Sequence, residues 1–164
     1  MFIKQTVDLK IRCESMPKLR TFNTFRIFGT TPSYINMPLS FIQRKYLAQL
    51  RLSSLPIRLE TGRYERPKLP EHARFCQACS DGISVENEEH YIFYCKIYHE
   101  IRQIWLGKVM VPENFHQLPL PEKFKLVFEV PQNVKVTAQF ISDAYNARSK
   151  VIFNRASQIP VQFL

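Results

Sequence analysis

The chain has 164 residues, enough for one domain with a sizeable core, and its 45% apolar and 13% aromatic content excludes an intrinsically disordered protein. No apolar run approaches the ~18 residues of a membrane span, and the opening "MFIKQTVDLKIRCES" carries charges throughout, where a secretory signal needs an apolar stretch. An intracellular protein, nuclear or cytoplasmic, is therefore expected. The net charge of +9 is unevenly placed, since residues 1–74 hold 14 Lys/Arg against 5 Asp/Glu while residues 75–164 hold 9 of each. A basic half of this kind suggests a polyanion partner.

In chain order, the first ~14 residues show little periodicity and predict weak organisation. "SMPKLRTFNTFRIFG" reads as a helix. Pro17 suits its first turn, Leu19, Phe22, Phe25 and Phe28 fall at helical spacing, and Gly29 is a C-cap. After a loop with two prolines, Ser40 caps a second helix from Phe41 to about Leu52. Ile42, Tyr46 and Leu50 form its apolar face, with Arg44 and Arg51 opposite. "IRLETGRYERPKLPEHAR" is loop-rich with room for a short strand. Asn87 caps a helical turn carrying Glu88, Glu89 and His90. Further helices are expected over about Lys96–Leu106, with Tyr98, Ile101 and Trp105 inward, over about Glu122–Glu129, and over about Asn133–Asn154. The fold class is mainly α, a small helical domain with one short β-hairpin at the C-x2-C turn. Three segments follow: 1–37, a basic helical segment and loop; 38–130, a helix plus the Cys-Cys-His-Cys core; 131–164, a C-terminal helix and tail.

The chemistry concentrates in "FCQACSDGISVENEEHYIFYC", which spaces Cys76, Cys79, His90 and Cys95 as C-x2-C-x10-H-x4-C. In a reducing compartment, closely spaced cysteines read as metal ligands rather than disulfides. C-x2-C aims two sulfurs at one point from a tight turn, and Asp-Gly in the spacer lets the chain reverse. Three thiolates and one imidazole make a tetrahedral zinc site with no position left for water, a structural site and not a catalytic one. Its net charge of about −1 is one that Lys96 and Arg102 can offset. His99, four residues after Cys95, competes with His90; His90 completes the paired spacing. Cys13 stands alone, and His72 and His116 read as loop histidines.

With these residues in hand, the chain resembles the C-terminal zinc-binding region of non-LTR retrotransposon polyproteins, downstream of the reverse transcriptase. The resemblance spans about residues 17–153 and rests on ordered blocks. These are "PKLRTFNTFRIF", "RKYLAQLRLSSLPIRLETGRYERPKLPEHARFCQAC", "EEHYIFYCKIYHEIR" and "ISDAYNARSKVIF". Lys96 departs from the pattern, which often has proline there. No polymerase Tyr/Phe-Ala-Asp-Asp motif and no endonuclease acids are seen. The resemblance thus implies a terminal piece of a larger enzyme, not itself catalytic, that engages nucleic acid.

The basic half supplies its own candidates for phosphate contacts: Arg44, Lys45, Arg51, Arg58, Arg63, Arg66, Lys68 and Arg74. Tyr64 either stacks on an unpaired base or packs on the zinc unit. Arg63 either meets phosphate or pairs with Glu60 or Glu65. The expected cofactor is one structural zinc ion. The expected partners are RNA or DNA and the parent reverse transcriptase, with no membrane and no small-molecule substrate. The alternative is a zinc-scaffolded protein-interaction module that docks an acidic surface.

Overall fold

The computed structural model describes the backbone of residues 2–16, 19–25 and 31–157 and side chains from residue 7 onward. It opens with helix α1 (Phe2–Glu14), 13 residues where weak organisation was expected. Among its described side chains, Val7, Leu9 and Ile11 are 50–59% exposed, so these apolar residues form no buried stripe that would leave a periodic signal. Lys10 and Glu14, one turn apart at 3.8 Å, add local support. Helix α2 (Arg20–Phe25) buries Thr21 and Phe25. The expected Pro17 start, Phe28 and the Gly29 cap lie outside the described residues.

Helix α3 (Phe41–Arg51) begins where the sequence predicts. Ser40 Oγ accepts from Gln43 N while Gln43 Oε1 accepts from Ser40 N, a reciprocal capping box. At its end Ser54 N donates to Gln49 O and Ser53 N to Leu50 O, the paired bonds of a Schellman motif. Ser53 takes the left-handed φ of 53° that glycine usually fills. Its hydroxyl accepts from Thr21 N at 2.9 Å and ties α2 to α3, a bond glycine could not make. The buried face is Leu47, Leu50 and Arg51, not the expected Ile42–Tyr46–Leu50 line, and Ile42 is 43% exposed.

Between α3 and the cysteines, helix α4 (Arg58–Thr61) and a 3₁₀ turn at Glu71–Ala73 stand in place of the expected short strand. The Arg74 guanidinium holds this segment, donating to Leu59 O at 2.6 Å and twice to Leu69 O. Carbonyls bound in this way are not available to a strand partner.

Helices α5 (His99–Leu106), α6 (Leu120–Glu129) and α7 (Pro131–Ser157) complete the fold. α7 packs on α3, α5 and α6, burying Val134, Ala138, Ile141, Ala144 and Arg148. Trp105 stacks on Phe140 at 4.6 Å and donates its indole N–H to Thr137. Asn133, fully buried, fixes the start of α7: it accepts from Met110 N and donates to Met110 O and Leu126 O. Phe25, Phe93, Phe124 and Phe128 meet ring against ring between α2 and α6. The architecture is mainly α, as the sequence predicts. Among the described residues the β pairing is one isolated antiparallel bridge, Phe75 with Val85. No helix of the described residues is long and apolar enough to cross a membrane.

Candidate metal centre

That bridge is the neck of the turn carrying Cys76 and Cys79. Cys76 N donates to Ser84 O and Glu86 N to Arg74 O, and Ser80 N folds back to Cys76 O. The reversal passes through left-handed φ at Ser80 (50°) and Gly82 (74°). The Asp81 carboxylate pins it, accepting from the Ile83 and Ser84 amides and the Ser84 hydroxyl. The Ser84 bonds hold Asp81 well below the usual carboxylate range. Inside the turn, Cys79 N points at Cys76 Sγ, 3.5 Å away.

The second pair of ligands arrives by a different device. Asn87 caps as expected, its Oδ1 accepting from His90 N at 2.7 Å. From His90 to Tyr94 the chain then runs as a π turn, closed by Cys95 N donating to His90 O at 2.8 Å. In an α-helix, residues five apart face about 140° away from each other. The wider turn brings the fifth residue back toward the first, which is what the H-x4-C spacing requires.

Cys76, Cys79, His90 and Cys95 are all buried, and their ligand atoms lie within 4.8 Å of one another. Cys76 Sγ is 3.9 Å from Cys95 Sγ, and Cys79 Sγ is 3.6 Å from His90 Nε2. Ligands held tetrahedrally at ~2.3 Å (sulfur) and ~2.0 Å (nitrogen) stand about 3.5–3.8 Å apart, so this donor set fits a metal ion. His99, the competing histidine, is exposed. Burial pushes the Cys79 thiol up to about 11. The hydrogen bond between Cys76 and Cys95 raises Cys76, with burial adding to it, and lowers Cys95. A divalent cation held here would supply the charge that lets all three sulfurs ionise.

Three arginines frame the cluster. Arg102, 7% exposed, donates to Ile92 O at 2.7 Å and Cys95 O at 2.8 Å, clamping the second half-site. Lys96 points to solvent. Arg148 on α7 grips both oxygens of Glu86 at 2.7 and 2.8 Å, and Glu86 Oε2 also accepts from Arg58 N. Arg155, near the end of α7, donates to Gln77 O and Ser80 Oγ on the first turn. Sequence reasoning singled out Arg102 but missed Glu86, Arg148 and Arg155. Arg148 had a usable signal, since it lies seven residues beyond Ile141 on the apolar line of α7. Glu86 sits in a polar spacer and had none.

The structure revises the phosphate-contact candidates. Arg51 is 2% exposed, donates to Phe128 O and Glu129, and lies about 5 Å from the Phe25 and Tyr34 rings. Arg74, also 2% exposed, is committed to backbone carbonyls. Neither reaches a phosphate, and both assignments are corrected: these are core cations whose charge is met inside. Arg44 is spent on the carbonyls of Tyr34, Ile35 and Met37, Arg58 on Glu65, and Arg63 on Glu60. Lys45, Arg66 and Lys68 are exposed. Tyr64 is 68% exposed, its hydroxyl donating to Glu60.

Fold and site together define a small helical domain stapled around a Cys₃His cluster that could hold a metal ion. Comparison with family models, curated proteins and solved structures returned no match to the chain.

Proposed function

We propose that the chain is a zinc-stabilised nucleic-acid-binding module, non-catalytic by itself, of the kind found downstream of the reverse transcriptase in non-LTR retrotransposons. The buried Cys₃His cluster is the observation that carries this reading. Thiolate and imidazole ligands in tetrahedral array suit zinc above other available divalent ions. Once held, the ion fixes the turn beside the loop that carries Tyr64, Arg66 and Lys68. Those residues and Lys45 are the groups that meet RNA or DNA. Metal analysis by mass spectrometry should find one zinc per chain, and titration with labelled RNA or DNA should show binding that weakens with salt. Three phosphate contacts on a single strand give a slope of about −2 in log K against log salt. Purified protein without bound metal, or with binding indifferent to salt, would count against the proposal.

A second reading, a protein-interaction module, draws on α1, whose Val7, Leu9 and Ile11 stand half exposed. Capture of a partner after complete nuclease digestion would favour it.

A further inference from the structure

Beside the C-x2-C turn lies an open cleft of about 310 Å³, lined by Arg58, Phe75, Gln77, Ser80 and Gly82 among others. We propose that this cleft seats one unpaired base of a single-stranded nucleic acid. The inference rests on the nucleic-acid reading above and gives it a substrate class.

Four observations converge on it. First, the turn exposes a large apolar ring in the cleft wall, Phe75 at 39%. It stands at the neck of a turn that holds two candidate metal ligands and is pinned by the Asp81 carboxylate and the Phe75–Val85 bridge. Apolar groups held rigidly in water form a stacking platform in wait of a flat partner. Second, the Arg58 guanidinium is tied to both oxygens of Glu65. Its charge is met, so what it adds to the wall is a fixed plane. Third, no carboxylate among the described residues lines the cleft, and the nearby Asp81 is turned into its own loop. Fourth, cationic residues are joined to the segments that line the cleft. Arg66 and Lys68 ride on a loop tethered to it by the Arg58–Glu65 pair and by Arg74 bonds to Leu69 O. Arg155 reaches the turn from α7.

The volume sits at the small end of ligand clefts, which run ~300–1,000 Å³. It has room for one ring system. A paired, stacked base has both faces covered, whereas a splayed base offers a face to Phe75 and an edge to the Gln77 amide.

The test uses the full, metal-loaded chain in fluorescence anisotropy. The probes are a labelled single-stranded RNA of mixed sequence, its DNA counterpart, the matching duplex and an abasic strand. Phe75→Ala and Phe75→Leu are the variants, each checked for an unchanged cobalt(II) absorption spectrum so that folding and metal binding are known to survive. Phe75→Leu keeps an apolar side chain on the turn and removes the flat ring, so it keeps the test available should Phe75→Ala misfold. Single-strand affinity should fall about 5- to 160-fold, the range of one lost stacking contact, with duplex affinity and the salt slope unchanged. Wild-type protein should bind the abasic strand as weakly as the variants bind the intact one. If the variants match wild type on single strands, or the abasic strand binds as well as the intact one, the cleft is not a base seat, while the nucleic-acid reading stands. If wild-type protein binds none of the probes, both readings fall.

Discussion

Cys79 shows how a single side chain contributes to the response to pH. In the metal-free protein its thiol is raised from 9.0 to about 11, mainly by burial. Folding therefore favours the neutral thiol. That contribution is complete below about pH 9 and is lost as pH climbs toward about 11. A bound ion reverses the sense, because the ligands must shed protons to hold it and acid returns them. Chelated protein should lose denaturation resistance on the alkaline side, and metal-loaded protein on the acid side. Urea melts over a pH series, with and without chelator, check this; the same trend in both forms would refute it. At this scale the sequence was legible for the four ligands, whose identity and spacing are chemistry in themselves. It was not legible for the arginines. Arg51 and Arg66 look alike as letters, yet one is boxed by Phe25 and Tyr34 and the other is in solvent. Gly62 is a related case. A Cβ there would stand 2.9 Å from the Arg74 side chain, which is why glycine fits between Thr61 and Arg63.

The decisive element is the π turn from His90 to Tyr94. Its extra residue costs helix regularity and gains the alignment of His90 with Cys95. Tyr94 is 57% exposed, so its side chain does little for the core. Its deletion should nevertheless abolish metal binding by shortening H-x4-C and swinging Cys95 off the cluster. Cobalt(II) titration would read this as loss of the tetrahedral absorption bands, whereas Tyr94→Ala should keep them. Retained bands in the deletion variant would mean that the turn is not what aligns the ligands. Elements with a local signature were legible beforehand. Ser40 announces the start of α3, and Asn87 announces the turn that carries His90. α1 was missed because Val7, Leu9 and Ile11 stand half exposed and mark no buried face.

Across the whole molecule, α7 is joined to the metal-binding segment at three levels. Tyr91 Oη donates to Ile141 O at 2.8 Å, Arg148 grips Glu86, and Arg155 reaches the Cys76–Cys79 turn. Loss of the ion should therefore loosen the long helix as well as the turn. Hydrogen exchange after chelation should show faster exchange across residues 137–148; protection unchanged there would show that α7 stands without the metal. Breaking the ion pair tests the same coupling from the other end. Arg148→Met leaves Glu86 charged and 1% exposed, a loss of about 3–5 kcal/mol, measurable as a shift in the urea midpoint. A change under 1 kcal/mol would mean that Glu86 finds another partner.

By itself the sequence determined the helical class, the start of α3, the approximate positions of α5, α6 and α7, and the four candidate ligands. Apolar periodicity, capping residues and ligand spacing are all local, and local physics acts on neighbours in the chain. Only the tertiary structure decided which basic residues face solvent, that Glu86 meets Arg148 across 62 residues, and that the C-x2-C turn opens beside a cleft. Those outcomes depend on which surfaces are buried against each other, and burial is set when distant segments pack.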